Sequence, residues 1–387
     1  MFAFARTEGA MRNQENRSRA VSPASAQRFN RGFFAIILFA IASYSAGLVV
    51  LERMGMLPPP PLTATLCIDE KFKFLAERDL ENVDLIGVGS SVTWRNLEMS
   101  AFEKTGLARE PLNAAPCFLH VSEMVSYTAF LLNYMPNIST VVSVMAPRDF
   151  AECAAPREDF FSHALAASYL LGLPPIPIYL ANRSQAKFLR DAIQIERMRT
   201  DPLVPFTMVM DNYGSGPLRK ADTFLPKPML VDECFQALTE LERLVASAGA
   251  TLIVASFPLQ PDWHALYDPN KTLIAAFEER IRTSLRLPST VFISSSETNT
   301  EGLLHADAVH YTWDAAVQYS SQLAGNIAAK SVRASRVDQA KQARGFGALR
   351  KSGYGENLPS PTVAENGTNR RIDGIATDRC STSALFS

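Results

Sequence analysis

The 387 residues carry 38 lysines and arginines against 39 aspartates and glutamates, so nothing in the overall charge draws the chain to nucleic acid. A hydrophobic fraction of 47 % is ordinary for a globular protein, and the length suffices for one large core or two modest ones.

In chain order, residues 1–32 are polar and rich in arginine, with Arg6, Arg12, Arg17, Arg19, Arg28 and Arg31 facing only Glu8 and Glu15. This composition predicts a disordered tail. Residues 33–54 follow as a transmembrane helix: from Phe33 to Leu51 only Ser43 and Ser45 interrupt the apolar run, about the length that crosses a bilayer. The preceding arginines hold the N-terminus in the cytoplasm and send the remainder across. A cleaved signal peptide is the rival reading, but the basic stretch is long and the apolar run exceeds an ordinary signal core. Either way the main domain lies outside the cytoplasm, in a bacterial setting the periplasmic side of the inner membrane. Residues 55–66 contain Pro58-Pro59-Pro60-Pro61, which predicts a stiff extended spacer.

From Cys67 to Lys330 short apolar strands alternate with helical stretches. Strands are expected at 83–88, around Leu112-Asn113, and at 140–145, 251–255 and 291–293. Helices are expected after Ser91 and at 121–134, 231–247, 272–285 and 314–329. This alternation predicts an α/β domain with a doubly wound parallel sheet. Residues 150–225 break the pattern and read as a mostly helical insertion or lid, with a helix at 185–198. Residues 331–387, poor in large apolar side chains, read as a flexible tail. The five cysteines all follow the apolar run, where disulfides persist. A bridge between the loops of Cys117 and Cys153, or unpaired buried thiols, both fit the sequence. No His/Cys/Asp/Glu group has metal-ligand spacing, and no cofactor is called for.

Ligands of such sheets bind at the carboxyl ends of the strands. The strand-end segments are Gly89-Ser90-Ser91, Asn113-Ala114-Ala115, Ala146-Pro147-Arg148-Asp149, Ser256-Phe257-Pro258 and Asp307-Ala308-Val309-His310, expected on one rim. Ser91 sits where a strand turns into a helix, with backbone N–H groups placed to meet an oxyanion. Ser90 or Ser91 also suits a helix cap. Asp307, three residues before His310, can hold its Nδ1–H and free Nε2 to take the serine proton. The alternative is a loop in which Asp307 caps the next turn. His305 is a competing base.

Gly89-Ser90-Ser91-Val92-Thr93 resembles the Gly-Asp-Ser-Leu/Ile-Thr block of the SGNH (GDSL-like) hydrolase superfamily, and Asp307–His310 resembles its terminal Asp-x-x-His block. The match spans about 80–150 and 228–330. The resemblance implies a flavodoxin-like sheet with Ser91 as nucleophile, His310 as base and Asp307 as its orienting acid. It also implies oxyanion donors at the N–H of Ser91, the N–H of Ala115 in place of the family's second-block glycine, and Arg148 in place of the third-block asparagine. Arg148 departs most from the pattern. It can donate to an oxyanion, pair with Asp149 or meet an anionic substrate.

With the membrane span, the chain is similar to envelope proteins that add or remove O-acyl groups on exported or cell-wall polysaccharides. That implies a carbohydrate polymer or acyl ester as substrate, the membrane as a partner, and a membrane protein that supplies the acyl group. A catalytically inactive scaffold in a polysaccharide assembly or export complex is the competing expectation.

Overall fold

The computed structural model describes residues 23–331 except 64, 154–159, 182–184, 205 and 220–222. The chain divides after Arg333. The expected tail, apart from Ser331, and the first 22 residues lie outside the described residues.

Five parallel strands form the sheet: β1 (Leu85–Gly87), β2 (Pro111–Asn113), β3 (Thr140–Met145), β4 (Thr251–Ser256) and β5 (Val291–Ile293), in the order β2-β1-β3-β4-β5. That is the flavodoxin-like order, which reverses between β1 and β3 and opens a crevice at the carboxyl ends of the strands there. Val141–Met145 are all buried, as a strand covered on both faces requires. Helix α1 (Pro23–Arg53) precedes the domain, followed by α2 (Leu66–Ala76), α3 (Ser91–Asn96), α4 (Ser100–Lys104) and α5 (Val121–Tyr134). The insertion holds α6 (His163–Leu170), α7 (Ile176–Ala181) and α8 (Gln185–Thr200). Then come α9 (Asp232–Ser247), α10 (Pro261–Tyr267), α11 (Thr272–Ser284) and α12 over 313–331. Helices α5, α9 and α11 pack as successive neighbours, and α3 packs on β3. Ser320 of α12 accepts from the Glu98 N–H and donates to the Asn96 carbonyl, which fixes α12 beside α3.

Three expectations change. Residues 23–32 belong to α1 rather than to a tail; within α1 the stretch Ala26–Arg53, which holds an 18-residue window of mean hydropathy 2.4, is long and apolar enough to cross a membrane. The proline segment is no free spacer. Leu57 to Pro60 are buried, Leu57 clusters with Leu48 of α1 and with Tyr179 and Phe188 of the insertion, and the Tyr179 hydroxyl donates to the Pro58 carbonyl at 2.7 Å. Arg199 closes this joint from α8, donating to the Leu57 carbonyl at 3.0 Å and forming two hydrogen bonds with Glu70 of α2. The cysteines pair as Cys67–Cys117 and Cys153–Cys234, not Cys117–Cys153; Cys380 lies outside the described residues.

The insertion is helical only in part. Beyond α8 its described residues form no helix or strand and run back across the sheet edge, where backbone bonds pin them. The Asn113 N–H donates to the Tyr213 carbonyl, the Gly216 N–H to the Trp94 carbonyl, and the Ala308 N–H to the Phe224 carbonyl. Lys71 of α2, fully buried, donates from Nζ to the carbonyls of Asn113 and Gly214. Burial pushes its ammonium well below the ordinary lysine value. Gly214 takes a left-handed φ of +87°, and a Cβ there would sit 2.7 Å from the Asn113 carbonyl oxygen, so only glycine fits the turn.

Candidate active site

The chain leaves β1 through Val88, Gly89 and Ser90 and enters α3 at Ser91. Ser90 takes the capping role: its side chain accepts from the Val92 N–H at 3.1 Å and donates to Asp149 Oδ1 at 2.6 Å. The second oxygen of Asp149 accepts from the Ala146 N–H, which folds the chain after β3 back toward α3. Burial pushes the Asp149 carboxyl up, against the opposing pull of Arg148 and these hydrogen bonds. With Ser90 occupied as the cap, the Ser91 hydroxyl is left to face the crevice. Gly89 owes its identity to close packing, because a Cβ there would lie 1.9 Å from Thr93 Oγ1. That hydroxyl in turn bonds both the N–H and the carbonyl of Val144 on β3.

Asp307 and His310 meet across a hairpin rather than along a helical turn. Strands β6 (His305–Asp307) and β7 (His310–Tyr311) are antiparallel, with Asp307 opposite His310, so the two side chains are cross-strand neighbours. Asp307 Oδ2 lies 2.7 Å from His310 Nδ1, and His310 Nε2 lies 3.1 Å from Ser91 Oγ. All three residues are less than 10 % exposed. Burial alone would raise the Asp307 carboxyl; the His310 ring beside it and the N–H groups of Val309 and His310 outweigh that and hold it below the ordinary value. His305 does not compete as a base, since its Nε2 faces the Pro258 carbonyl at 3.0 Å and burial lowers its pKa.

Asn96, five residues after Ser91, holds the two halves in register. Its Nδ2 donates to the Val309 carbonyl and its Oδ1 accepts from the Tyr311 N–H, across 213 and 215 residues of chain. Nothing in the order of residues marks it, for its role exists only once α3 lies beside the hairpin.

Ser91, Asp307 and His310 open into a cavity of about 270 Å³. Part of its wall is apolar and comes from the insertion, including Val204, Phe206 and Leu218, and the Cys67–Cys117 pair also borders it. Arg148 reaches the same cavity, its guanidinium 5.1 Å from the centre of the Phe224 ring and 6.0 Å from that of Phe118. Among the described residues no carboxylate pairs with it, and Asp149 is engaged with Ser90 and Ala146. Ala115 is fully buried and forms no part of the cavity wall, and its N–H donates to Asn113 Oδ1 at 3.2 Å. The donor expected of Ala115 is therefore turned inward.

Arg95, a further wall residue, escapes sequence reading. It lies one helical turn after Ser91, the i, i+4 spacing that puts both on one face of α3. Its guanidinium carbon stacks 3.5 Å from the centre of the Trp94 ring, and Nη2 donates to the Thr207 carbonyl at 2.6 Å. Burial lowers its pKa to about 9, with the charge of Asp307 pulling the other way, so it remains a cation at neutral pH.

A larger concavity of about 1400 Å³ is lined by residues of α10, α11 and the loop from Ser295 to His305. Of its lining serines, Ser295 donates to Glu278 and the Ser296 hydroxyl is hydrogen-bonded to that of Ser294, itself held by Glu278, so it lacks the free hydroxyl beside an imidazole that the first cavity has. Among the described residues no group of three metal-ligating side chains is gathered. No protein-family model and no curated protein matches this chain, so the chemistry rests on geometry.

Proposed function

We propose that the chain is a serine-dependent O-acyl transferase or esterase of the SGNH-like kind. It would be held by α1 in the inner membrane with its α/β domain on the periplasmic side. The carrying observation is the continuous line Asp307–His310–Ser91, at 2.7 Å and 3.1 Å, formed from segments more than 200 residues apart. Ser91 Oγ attacks the acyl carbonyl as its proton passes to His310 Nε2, and Asp307 steadies the resulting imidazolium. The tetrahedral oxyanion meets the Ser91 N–H at the start of α3 and the Arg148 guanidinium. As the carbon–oxygen bond to the leaving group breaks, His310 returns the proton to that oxygen. An acceptor hydroxyl then attacks the acyl-serine, losing its proton to His310, and the proton goes back to Ser91 as the ester is cleaved. A sugar acceptor makes the protein a transferase; water makes it an esterase.

An acetyl ester on an envelope or exported polysaccharide is the substrate this reading favours, supported by the resemblance and the apolar α1. A membrane protein that hands over the acyl group is the partner it calls for. The inward-turned Ala115 N–H favours a second reading, an inactive scaffold in a polysaccharide assembly or export complex. Labelling the full chain with a fluorophosphonate and assaying 4-nitrophenyl acetate turnover separates them. The enzyme labels at Ser91 and turns over, and Ser91→Ala does neither. A wild-type chain that neither labels nor cleaves any acyl ester overturns the first reading in favour of the scaffold.

A further inference from the structure

The cavity carries more positive charge than the triad uses. Its ionisable wall residues are Asp307, His310, Arg95 and Arg148, a net charge of about +1 with a neutral imidazole. Arg95 is the unusual member, a guanidinium only 5 % exposed. Among the described residues it forms no ion pair, and its Nη1 has no hydrogen-bond partner. The carboxylate of Asp307, though near, does not pair with it and is engaged elsewhere. Asp307 Oδ1 accepts from the Val309 N–H and Oδ2 from His310. An unpaired buried cation is strongly unfavourable, and an apolar side chain of similar length would fill the space against Trp94 without that penalty. The missing charge fits a ligand.

We propose that Arg95 is an anion-binding residue of this cavity, so that the molecule carrying the ester also carries a carboxylate or a phosphate beside it. This rests on the reading of Ser91 as the acyl-accepting nucleophile, and it divides the two arginines. Arg148 meets the charge that develops during reaction, whereas Arg95 meets the charge the substrate brings. The i, i+4 relation of Ser91 and Arg95 on α3 then sets the spacing between ester and anion. A neutral acyl ester has the same access to Ser91 and leaves Arg95 uncompensated.

The test uses the full chain in detergent with Ser91→Ala, titrated calorimetrically with benzoate, phenyl phosphate and the neutral isostere benzamide. Hydrogen bonds to a charged group predict tighter binding of an anion by about tenfold or more. Whichever of benzoate and phenyl phosphate binds better names the anion. Adding Arg95→Gln should erase the preference and adding Arg148→Gln should leave it. If the Arg95→Gln chain fails to fold, Arg95→Lys, which keeps the charge, should keep the preference. Equal binding of all three ligands, a preference that survives Arg95→Gln or is lost with Arg95→Lys in folded protein, or one lost with Arg148→Gln overturns the proposal. In a second arm, turnover of 4-acetoxybenzoate and phenyl acetate is compared in chains that retain Ser91. Arg95→Gln should lower kcat/KM for the anionic ester alone, and Arg148→Gln should lower both. Anion preference without turnover of either ester would leave the subsite standing and remove the enzyme reading; turnover with no anion preference in either arm does the reverse.

Discussion

Ser90 and Ser91 are adjacent and chemically alike, and their surroundings divide the work between them. Ser90→Ala removes a helix cap and one partner of buried Asp149, so unfolding should cost about 1–2 kcal/mol less in denaturant titration, with fluorophosphonate labelling of Ser91 retained. Ser91→Ala should lose labelling with little change in stability. Asp307→Asn keeps the shape of the site but loses the charge beside the His310 ring, and in the proposed enzyme kcat should fall by about 10³–10⁴. The same carboxylate sets a pH signature. Its pKa in the folded protein lies below the ordinary 3.8, so its contribution to stability is complete above about pH 4 and fades as pH falls through the folded value. Melting curves of wild type and Asp307→Asn should differ by a constant amount near neutrality and converge in more acid solution.

At the scale of elements, the joint between α3 and the β6–β7 hairpin decides whether the triad is assembled. Asn96→Ala would leave the Val309 carbonyl and the Tyr311 N–H buried without partners, costing about 1–3 kcal/mol. In the proposed enzyme, kcat should drop more than KM rises, because Ser91 and His310 lose their common brace. Gly89→Ala forces a Cβ onto Thr93 and should destabilise by about 1–3 kcal/mol through overpacking. Much of this framework is legible in the residues. Thr140–Met145 and Thr251–Ser256 are β-branched and apolar enough to announce buried strands, and the order Ser91, Asp307, His310 suffices to suggest a triad. The hairpin is not legible, because His305–Asp307 and His310–Tyr311 are too short to show a period. Helix α2 is hidden by Asp69, Glu70 and Lys71, polar residues that are nonetheless buried. Arg95 and Asn96 acquire meaning only when α3 is seen against its neighbours. The disulfides depend on distances that spacing does not contain.

At the scale of the whole molecule, the stem after α1 is part of the domain. Tyr179→Phe removes the bond to the Pro58 carbonyl and should weaken the joint by about 1 kcal/mol. Arg199→Met removes the clasp on Leu57 and leaves Glu70 buried without its cation. Limited proteolysis of the full chain in detergent should find residues 55–62 protected in wild type and cut in Arg199→Met, while the core from α9 onward survives in both. Equal cleavage of the two chains would show that the stem is not held by this contact.

A docked stem also changes what an anchor does. A flexible tether lets a catalytic head sweep a hemisphere whose radius is the length of the tether, and lets it turn its mouth in any direction. Here the last turns of α1, Leu57 just before the prolines, and α7–α8 share one apolar cluster, so head and anchor turn together. With α1 in a bilayer, the mouth of the cavity would stand at one height and one tilt above the lipid. In the proposed enzyme, only polymer passing through that shell would be modified, and inserting a flexible segment between Arg53 and Leu57 should broaden the positions reached while slowing each encounter.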